Sequence, residues 1–180
     1  MSEFDPIEVI DKNAMRISNC LYDPEEIISD SDTQIWQEDF RQNGSRLGHS
    51  FFINESQDKY NDIHQAMMRA AETFLMSTHR DISDYEPRYN FYKIFKWETP
   101  MDAMSEHADR WSDGDNLVIP DISLVMYFTD DFEGGNLVFE AKVIRPHAGD
   151  IVVFNSDLLH GVTPVLSGRR ITTQLFLFKK

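Results

Sequence analysis

The sequence predicts an α+β fold in which short strands form a sandwich or jelly roll and N-terminal helices pack on one outer face. Three observations predict this class. Strand-like segments dominate after about residue 85, turn-forming residues separate them, and one long amphipathic helical pattern precedes them. Short strands at such spacing are typical of two-layered β architectures. A helix with a single apolar stripe is expected to bury that stripe against a sheet.

The N-terminal part, residues 1–84, is predicted to be a helical support region that contains one strand. The segment 24–28 is expected to form a short helix, because proline is tolerated in a first helical turn and Pro24 begins it. A longer helix is predicted for 57–79, since its apolar residues recur at intervals of three and four. They are Tyr60, Ile63, Met67, Ala70, Ala71, Phe74 and Leu75. The one strand is expected at 47–54.

The remaining part, residues 85–180, is predicted to form the jelly-roll core. Gly134-Gly135 and Ser167-Gly168 are among the turn signals that divide it into strands. The predicted strands are 89–97, 104–109, 121–129, 136–140, 151–154, 159–162 and 170–178. We interpret residues 1–180 as a single domain, because a chain of this length can bury a core of its own.

Composition indicates a globular protein without a membrane anchor. Hydrophobic residues make up 41% of the chain and aromatic residues 12%, which is too apolar for a disordered segment. No apolar run approaches the roughly 20 residues that a membrane helix needs. The N-terminus is acidic and lacks the apolar region of a secretory signal. Cys20 is the single cysteine, so we expect a reducing, cytoplasmic environment.

The formal net charge of -14 bears on the partners that the chain can bind. An acidic surface repels phosphate backbones, so we expect no nucleic-acid partner. The simplest interpretation of this acidity is that it keeps the protein soluble. A basic peptide or protein would also suit it, although charge alone does not identify a partner, and the sequence leaves the oligomeric state open.

Two His-x-Asp pairs are candidates for a metal site, whereas chance predicts roughly half a pair in such a chain. His79 and Asp81 follow the long predicted helix, where a surface histidine that favours the helix dipole is the ordinary interpretation. His107 and Asp109 lie in the strand-rich part. Alternate strand side chains share a face, so both could bind one ion. A two-histidine, one-carboxylate site leaves coordination positions open for substrates and oxygen.

Two residues further along the chain strengthen the second pair. His160 follows after several predicted strands and could supply the third ligand. Arg170 begins the last strand, where alternation places it on one face with Thr172. A charge that faces a sheet core is costly without a partner, and a guanidinium offers a bidentate fork to an anionic carboxylate. The alternative for Arg170 is an exposed basic residue beside Arg169.

In their order along the chain, these segments resemble the 2-oxoglutarate/iron(II) oxygenases, specifically the prolyl 4-hydroxylase-like branch. The resemblance covers about Tyr89 to Phe178, half of the chain. It rests on four stretches, which read HAD, ISLVMYFTDDFEGGNLVF, RPHAGDIVVF and HGVTPVLSGRR. It implies a double-stranded β-helix (jelly roll), Fe(II) as the metal and 2-oxoglutarate as cosubstrate, with ascorbate as an additional candidate cofactor.

The resemblance also implies roles for individual residues. His107, Asp109 and His160 would bind the metal, and with Arg170 they would form the catalytic set. Arg170, Tyr127 and Thr172 would bind the cosubstrate, with Tyr127 on the more polar face of its predicted strand. Arg169 is the alternative to Arg170, because some relatives carry the basic residue one position earlier. In the family a tyrosine often precedes the metal pair; here Trp97 lies near that position, without the hydroxyl group.

The reaction that the resemblance implies is hydroxylation, with a prolyl residue of a peptide or protein as the substrate. The predicted loop from Arg110 to Pro120 follows the metal pair and could form a lid. Trp111 within it could stack on a proline ring or serve packing alone. Three alternatives stay open: the same chemistry on a small metabolite, a non-catalytic metal-binding jelly roll, and zinc-dependent hydrolysis. The last two leave Arg170 without a role.

Overall fold

One long helix and seventeen strands make up the described part of the chain. A computed structural model describes residues 7–21, 23–24, 36–40, 46–54, 58–88, 91–97, 104–140 and 142–180. Helix α1 is Asp58–Ser77, and a 3-10 turn follows at Ile82–Asp84. The strands are β1 Ile7–Asp11, β2 Ala14–Ile17, β3 Gln37–Phe40, β4 Arg46–Asn54, β5 Tyr85–Pro87, β6 Phe91–Trp97, β7 Met104–His107, β8 Trp111–Asp113, β9 Asn116–Val118, β10 Ile122–Tyr127, β11 Glu133–Gly134, β12 Leu137–Phe139, β13 Lys142–Ile144, β14 Ile151–Asn155, β15 His160–Val162, β16 Val165–Ser167 and β17 Arg170–Lys179.

The larger sheet contains nine strands in the order β1-β2-β14-β10-β17-β6-β4-β3, and β5 pairs with the far end of β17. All of its pairs are antiparallel. In the centre, Val125 of β10 is paired with Gln174 of β17, and Tyr127 with Thr172. On the other side of β17, Arg170 is paired with Trp97 and Thr172 with Phe95. These registers bring polar residues of three strands onto one face.

A smaller sheet, in the order β13-β12-β15-β7, lies against that face. The chain alternates between the sheets, since β6, β10, β14 and β17 belong to the larger one and β7, β12, β13 and β15 to the smaller one. This winding is that of a double-stranded β-helix. The fold class predicted from the sequence is therefore confirmed.

The two faces of the larger sheet bury different cores. The outer face packs against α1, whose buried residues include Ile63, Met67 and Phe74, all of them almost inaccessible to solvent. The inner face and the smaller sheet enclose a second core with an aromatic centre, including Tyr127, Phe139 and Phe154. Among the described residues no helix has both the length and the apolar character that crossing a bilayer requires.

The N-terminal region contains more strand than the sequence predicted. Four strands, β1 to β4, precede or flank α1 and extend the larger sheet at both edges. The strand predicted at 47–54 and the helix predicted at 57–79 agree with β4 and α1, whereas β1, β2 and β3 were missed. Strands β1 and β3 lie at the sheet edges, where side chains such as Val9 stay exposed and the apolar alternation is absent. Strand β2 has only four residues and buries Ala14, Met15 and Ile17, so it shows no alternation either. Beyond Pro24, the short helix predicted at 24–28 lies outside the described residues.

The segment from Arg110 to Pro120, predicted to be a loop, contains a β-hairpin. Strands β8 and β9 pair with each other around Gly114, which has φ 60°. The Trp111 ring lies against Phe176, with 5.1 Å between ring centroids, and meets the edge of Phe178 at 6.3 Å. Trp111 is therefore a packing residue of the inner face at this position, and the hairpin is part of the folded structure.

Candidate metal and anion site

His107, Asp109 and His160 meet at one point between the two sheets. One ligand atom from each of them lies within 4.8 Å of the others. The Nε2 atom of His107 is 3.7 Å from Oδ1 of Asp109, and that of His160 is 3.7 Å from Oδ2. Two imidazole nitrogens and a carboxylate that face a common centre form a donor set for a divalent transition metal.

Pairing between β15 and β7 produces the approach of the two histidines. His160 is the register partner of His107, and their ring centroids are 4.4 Å apart. Gly161 permits this, because a Cβ atom there would lie 2.8 Å from the carbonyl oxygen of Met104. The predicted strand 104–109 ends earlier, at His107. Asp109 lies in the following bend, where its N–H donates to the carbonyl of Ser156 at 2.9 Å.

Both histidines are held in the same tautomer. Nδ1 of His107 donates to the carbonyl oxygen of Ser105 at 2.9 Å, and Nδ1 of His160 donates to that of Leu158, also at 2.9 Å. A carbonyl can only accept, so the proton resides on Nδ1 and the lone pair of Nε2 faces the site. Burial lowers the pKa of His160, although the nearby Asp109 carboxylate opposes this effect. A neutral imidazole is the form that binds a metal.

Two serines orient the carboxylate. The hydroxyl of Ser123 donates to Oδ2 of Asp109 at 2.6 Å, and its oxygen lies 2.7 Å from the hydroxyl oxygen of Ser156. Neither Ser123 nor Ser156 was assigned a role from the sequence. Only the spatial neighbourhood reveals them, since each lies more than ten residues from Asp109 along the chain.

Arg170 lies buried on the inner face, with 3% of its surface exposed. Its Nε donates to the carbonyl of Gly135 at 3.0 Å, Nη1 to the Thr172 hydroxyl at 3.4 Å, and Nη2 to the Tyr127 hydroxyl at 3.3 Å. Its guanidinium carbon lies 4.7 Å from the centre of the Trp97 ring. The three residues predicted to bind the cosubstrate thus lie together.

No carboxylate among the described residues forms an ion pair with Arg170. A buried guanidinium held only by neutral groups retains an uncompensated positive charge, which favours binding of an anion. Arg169 differs, because its side chain is 44% exposed and its Nη2 is 4.0 Å from a carboxylate oxygen of Asp131. Burial and surroundings therefore favour Arg170 over Arg169 as an anion-binding residue.

A cavity of about 70 Å³ connects Arg170 with His107 and His160, whose Nε2 atoms face Asp109. Phe95 and Trp97 form part of its wall, and Trp97 was a departure from the expected pattern. Among the described residues, the buried indole Nε1–H of Trp97 has no hydrogen-bond partner. The ring fits because Gly48 lacks a side chain; a Cβ atom there would be 2.8 Å from Cδ1 of Trp97. A small anion with two acidic ends would suit a cavity with a metal-type donor set at one side and a guanidinium at the other.

The other His-x-Asp pair has a structural role. His79 follows the end of α1 with φ 58°, and the N–H of Arg80 donates to the carbonyl of Leu75 at 2.8 Å, as in a helix C-terminal cap. Asp81 caps the 3-10 turn, where its carboxylate accepts from the N–H of Ser83 at 2.8 Å. That hydrogen bond lowers the pKa of Asp81. The His79 side chain is exposed, as the sequence suggested, and the Asp81 side chain serves local backbone geometry.

Comparisons with known proteins agree with this geometry. A family model described as the 2OG-Fe(II) oxygenase superfamily matches residues 94–178. A PKHD-type hydroxylase of Teredinibacter turnerae is 35% identical over 106 residues, which cover 52% of this chain and 42% of the relative. The matches cover 28%, 42% and 52% of three curated relatives, so the chain spans about half or less of their length.

Solved structures show the same fold. The viral collagen prolyl hydroxylase of Paramecium Bursaria Chlorella virus-1, solved as a 2OG complex, superimposes with a TM-score of 0.67 at 18% identity, covering 92% of this chain and 95% of that one. A prolyl-4-hydroxylase of Pseudomonas putida superimposes with a TM-score of 0.63 at 17% identity, covering 93% and 94%.

Proposed function

We propose that the chain belongs to the 2OG-Fe(II) oxygenase superfamily, whose family model matches residues 94–178, and that it is an Fe(II)- and 2-oxoglutarate-dependent dioxygenase. Its substrate would be a prolyl residue in a peptide or protein. One observation carries the proposal: His107, His160 and a buried guanidinium without a carboxylate partner among the described residues line the same cavity, and Asp109 completes a metal-type ligand group with the two histidines. Residues 85–180 would carry the site, and residues 1–84 would support it within one domain.

The metal would be held by His107, Asp109 and His160. Their donor set fits Fe(II), because two imidazoles and one carboxylate are the ligands of non-haem iron sites that keep coordination positions open. The backbone carbonyls that fix both Nδ1 protons, and the serine pair behind Asp109, would hold the donors in place before the metal arrives. Such outer partners typically change metal affinity by about 10–100-fold.

The distal carboxylate of 2-oxoglutarate would bind Arg170. Tyr127 and Thr172, which already contact the guanidinium, would add hydroxyl donors. Burial raises the pKa of the Tyr127 hydroxyl, and the Arg170 charge opposes this only in part. The hydroxyl therefore stays protonated and able to donate to a carboxylate. The Trp97 indole N–H has no acceptor among the described residues, and the Trp97 ring belongs to the same wall, so the indole would be a further donor.

The bound metal and cosubstrate supply the oxidising power that protein side chains lack. The contribution of the chain is to bind, orient and exclude water. The rings of Phe139 and Phe154 lie beside His160, and Phe95 lines the cavity. The reacting groups would therefore lie in an apolar environment, where charge interactions are stronger than in water. The prolyl substrate is inferred from the prolyl hydroxylases whose fold this chain shares.

Spectroscopy and product analysis test the proposal together. The protein would be purified without oxygen and given Fe(II) and 2-oxoglutarate, and we expect a visible charge-transfer band. Oxygen and proline-containing peptides would then be added, with succinate and single oxygen addition to the peptide measured. Metal binding without a band or succinate would support a non-catalytic metal-binding module. Succinate without peptide oxidation, across a broad peptide library, would contradict the prolyl substrate.

A further inference from the structure

Gln174 lies where the small cavity meets a larger groove along the inner face. The cavity beside Arg170 has a volume of about 70 Å³, and the groove has one of about 550 Å³. Both spaces are lined by Gln174 and Phe95. The groove volume lies within the range of about 300–1,000 Å³ that binding pockets usually have. A ligand that extends from the groove into the cavity therefore passes the Gln174 side chain.

The inner face of β17 carries a row of side chains whose character changes along the strand. Alternation places Arg170, Thr172, Gln174 and Phe176 on this face. Their Cα atoms follow one another at about 6.6 Å, because a strand advances about 3.3 Å per residue. The row begins with a buried guanidinium, continues with a hydroxyl and a carboxamide, and reaches an aromatic ring against which Trp111 lies. Gln174 is the last polar member of the row before the aromatic wall of the groove.

The backbone of Gln174 is held in the centre of the larger sheet. On one side, Gln174 is the register partner of Val125 on β10. On the other side, the preceding residue, Thr173, is paired with Ile94 on β6. The following residue, Leu175, enters the core against α1. A side chain on such a rigid element presents its polar atoms in a defined direction, which lowers the entropy lost when a ligand binds.

The carboxamide of Gln174 is available to a ligand. The residue is half-buried, and its side chain forms no hydrogen bond with another residue of the described part of the chain. A primary amide contains N–H donors and a carbonyl acceptor. When a ligand covers such a group without bonding to it, the lost contact with water costs free energy. The ligand that fits best therefore offers a donor and an acceptor together.

A peptide group meets this requirement. Every residue other than proline presents one backbone N–H and one C=O, whereas the nitrogen of a prolyl residue has no hydrogen to donate. The peptide groups that match Gln174 therefore belong to the residues that flank a target proline. A small metabolite that fits beside the metal ligands would not extend into the groove, and the contact with Gln174 would then be lost or reduced.

We propose that Gln174 is a specificity-determining residue that forms a hydrogen bond with the backbone of a substrate peptide beside its target residue, and so favours a peptide over a small metabolite. The inference deepens the proposed function and rests on it. It commits the groove to one occupant, an extended peptide segment whose side chains contact Phe52, Trp111 and Phe176. The continuity of the groove with the candidate site and the carboxamide at their junction support this choice.

Peptides in which one backbone amide is replaced by an ester test this inference. The tightest binder of a proline-containing peptide library would carry the ester at each position around the proline in turn, with a fluorescent label for anisotropy. Binding would be measured without oxygen on protein loaded with Fe(II) and 2-oxoglutarate. At the position that meets Gln174 we expect the ester to bind about tenfold more weakly, because it lacks the N–H. Equal binding of the amide and of every ester, or no binding by any peptide of the library, would overturn the inference.

A double-mutant cycle identifies the residue. Gln174→Met keeps a side chain of similar length without the amide, so it should bind the all-amide peptide about tenfold more weakly and should no longer distinguish the ester at that position. Gln65→Met is the matched control, because Gln65 is exposed on α1, on the other side of the larger sheet. It should keep the original distinction. If the ester penalty persists undiminished in Gln174→Met, the peptide group contacts another residue and the role of Gln174 is wrong.

Binding of the other ligands distinguishes a role towards the peptide from a general one. Gln174→Met should keep the melting temperature of the parent and its affinities for Fe(II) and for 2-oxoglutarate. A fall in 2-oxoglutarate affinity as large as the fall in peptide affinity would assign Gln174 to the cosubstrate site and overturn the inference.

Turnover separates this inference from the proposed function. Peptides that bind with the expected coupling to Gln174 but yield no succinate would contradict the dioxygenase and leave the role of Gln174 intact. Peptide hydroxylation at an unchanged kcat/KM in Gln174→Met would support the dioxygenase and contradict that role. Free L-proline is the small-molecule comparison, and the ratio of kcat/KM for the peptide to that for L-proline should fall about tenfold in Gln174→Met.

Discussion

The two faces of strand β17 belong to one stretch of sequence but serve different purposes. On the outer face, Ile171, Leu175 and Leu177 enter the core against helix α1. On the inner face, Arg170 and Thr172 line the cavity beside the candidate metal ligands. The neighbouring strand β10 repeats the contrast, with Leu124 and Met126 outside and Ser123 and Tyr127 inside. Alternation of side chains along a strand makes both arrangements compatible.

The contrast shows that the two faces are stabilised by different physics. The outer face depends on apolar area removed from water, for which hydrophobicity and approximate size suffice. The inner face depends on particular atoms, such as the Ser123 hydroxyl behind Asp109 and the carbonyl of Gly135 beside Arg170. Substitutions outside should therefore change folding, whereas substitutions inside should change binding.

Removal of a metal ligand should have the largest effect. Asp109→Ala is expected to lower metal affinity and turnover by more than about a hundredfold, because loss of a residue that merely supports a ligand already costs 10–100-fold. Isothermal titration with Fe(II) or Co(II) measures the affinity. Asp81→Ala, in the second His-x-Asp pair, is the control and should leave it unchanged. Equal losses in the two variants would contradict the assignment of the site.

The second largest effect is expected from a substitution that creates a cavity in the outer core. Leu124 is completely buried, and Leu124→Ala is expected to lower the free energy of unfolding by about 2–5 kcal/mol. Urea denaturation measures this change. Below the transition the folded variant should bind metal with the affinity of the parent. A parallel fall in metal affinity would mean that the two faces are coupled and that the comparison between them is too simple.

Loss of the buried guanidinium should weaken binding of the cosubstrate and leave metal binding unchanged. Arg170→Ala is expected to raise the 2-oxoglutarate concentration for half-saturation by about 10–100-fold, as hydrogen bonds to a charged group contribute about 1.5–3 kcal/mol. Metal affinity should persist. Arg169→Ala provides the matched comparison and should have little effect. If Arg169→Ala raises the requirement instead, the basic residue is misassigned by one position.

Removal of the hydrogen bond that supports the Asp109 carboxylate should have a smaller effect on metal binding. Ser123→Ala removes the 2.6 Å hydrogen bond to Asp109 and is expected to weaken metal binding by about tenfold. The absorption bands of the Co(II)-substituted protein should also shift, because the carboxylate reorients. Ser123→Thr keeps the hydroxyl and should restore much of the affinity. An unchanged Co(II) spectrum in Ser123→Ala would contradict a positioning role.

The smallest expected effect is on the pH dependence of stability, and it arises from a histidine that packs on the outer face. Burial lowers the pKa of His64 from its usual value of 6.5, and its Nδ1 lies 2.9 Å from the hydroxyl of Tyr92. The unfolded chain therefore takes up a proton first as pH falls, so this contribution to stability is present above about pH 6.5 and is lost below it. His64→Gln should flatten part of the decline in melting temperature between pH 7.5 and 5.5. An identical decline in both proteins would exclude His64 as its source.

Local patterns in the sequence predicted the elements that bury one apolar face. The helix expected at 57–79 is observed at Asp58–Ser77, and Arg170 and Thr172 share an inner face as alternation required. The roles assigned to the ligands and to Arg170 stay predictions, although the structure brings these residues together. What was missed has two causes. The hydrogen bonds of Ser156 depend on partners distant in sequence, and the strands of the β8–β9 hairpin are mostly exposed and show no buried alternation.

The position of β17 in the larger sheet has a consequence for synthesis of the protein. It is the last strand of the described chain, yet it lies between β10 and β6. Until the ribosome has released residues 170–179, both neighbours expose an unpaired edge, and Arg170 and the helix-facing residues of β17 are absent from their cores. Open edges of this kind favour association with other chains. The larger sheet therefore acquires its central pairing only after β17 has been translated, and the open edges of β10 and β6 are exposed to other chains until then.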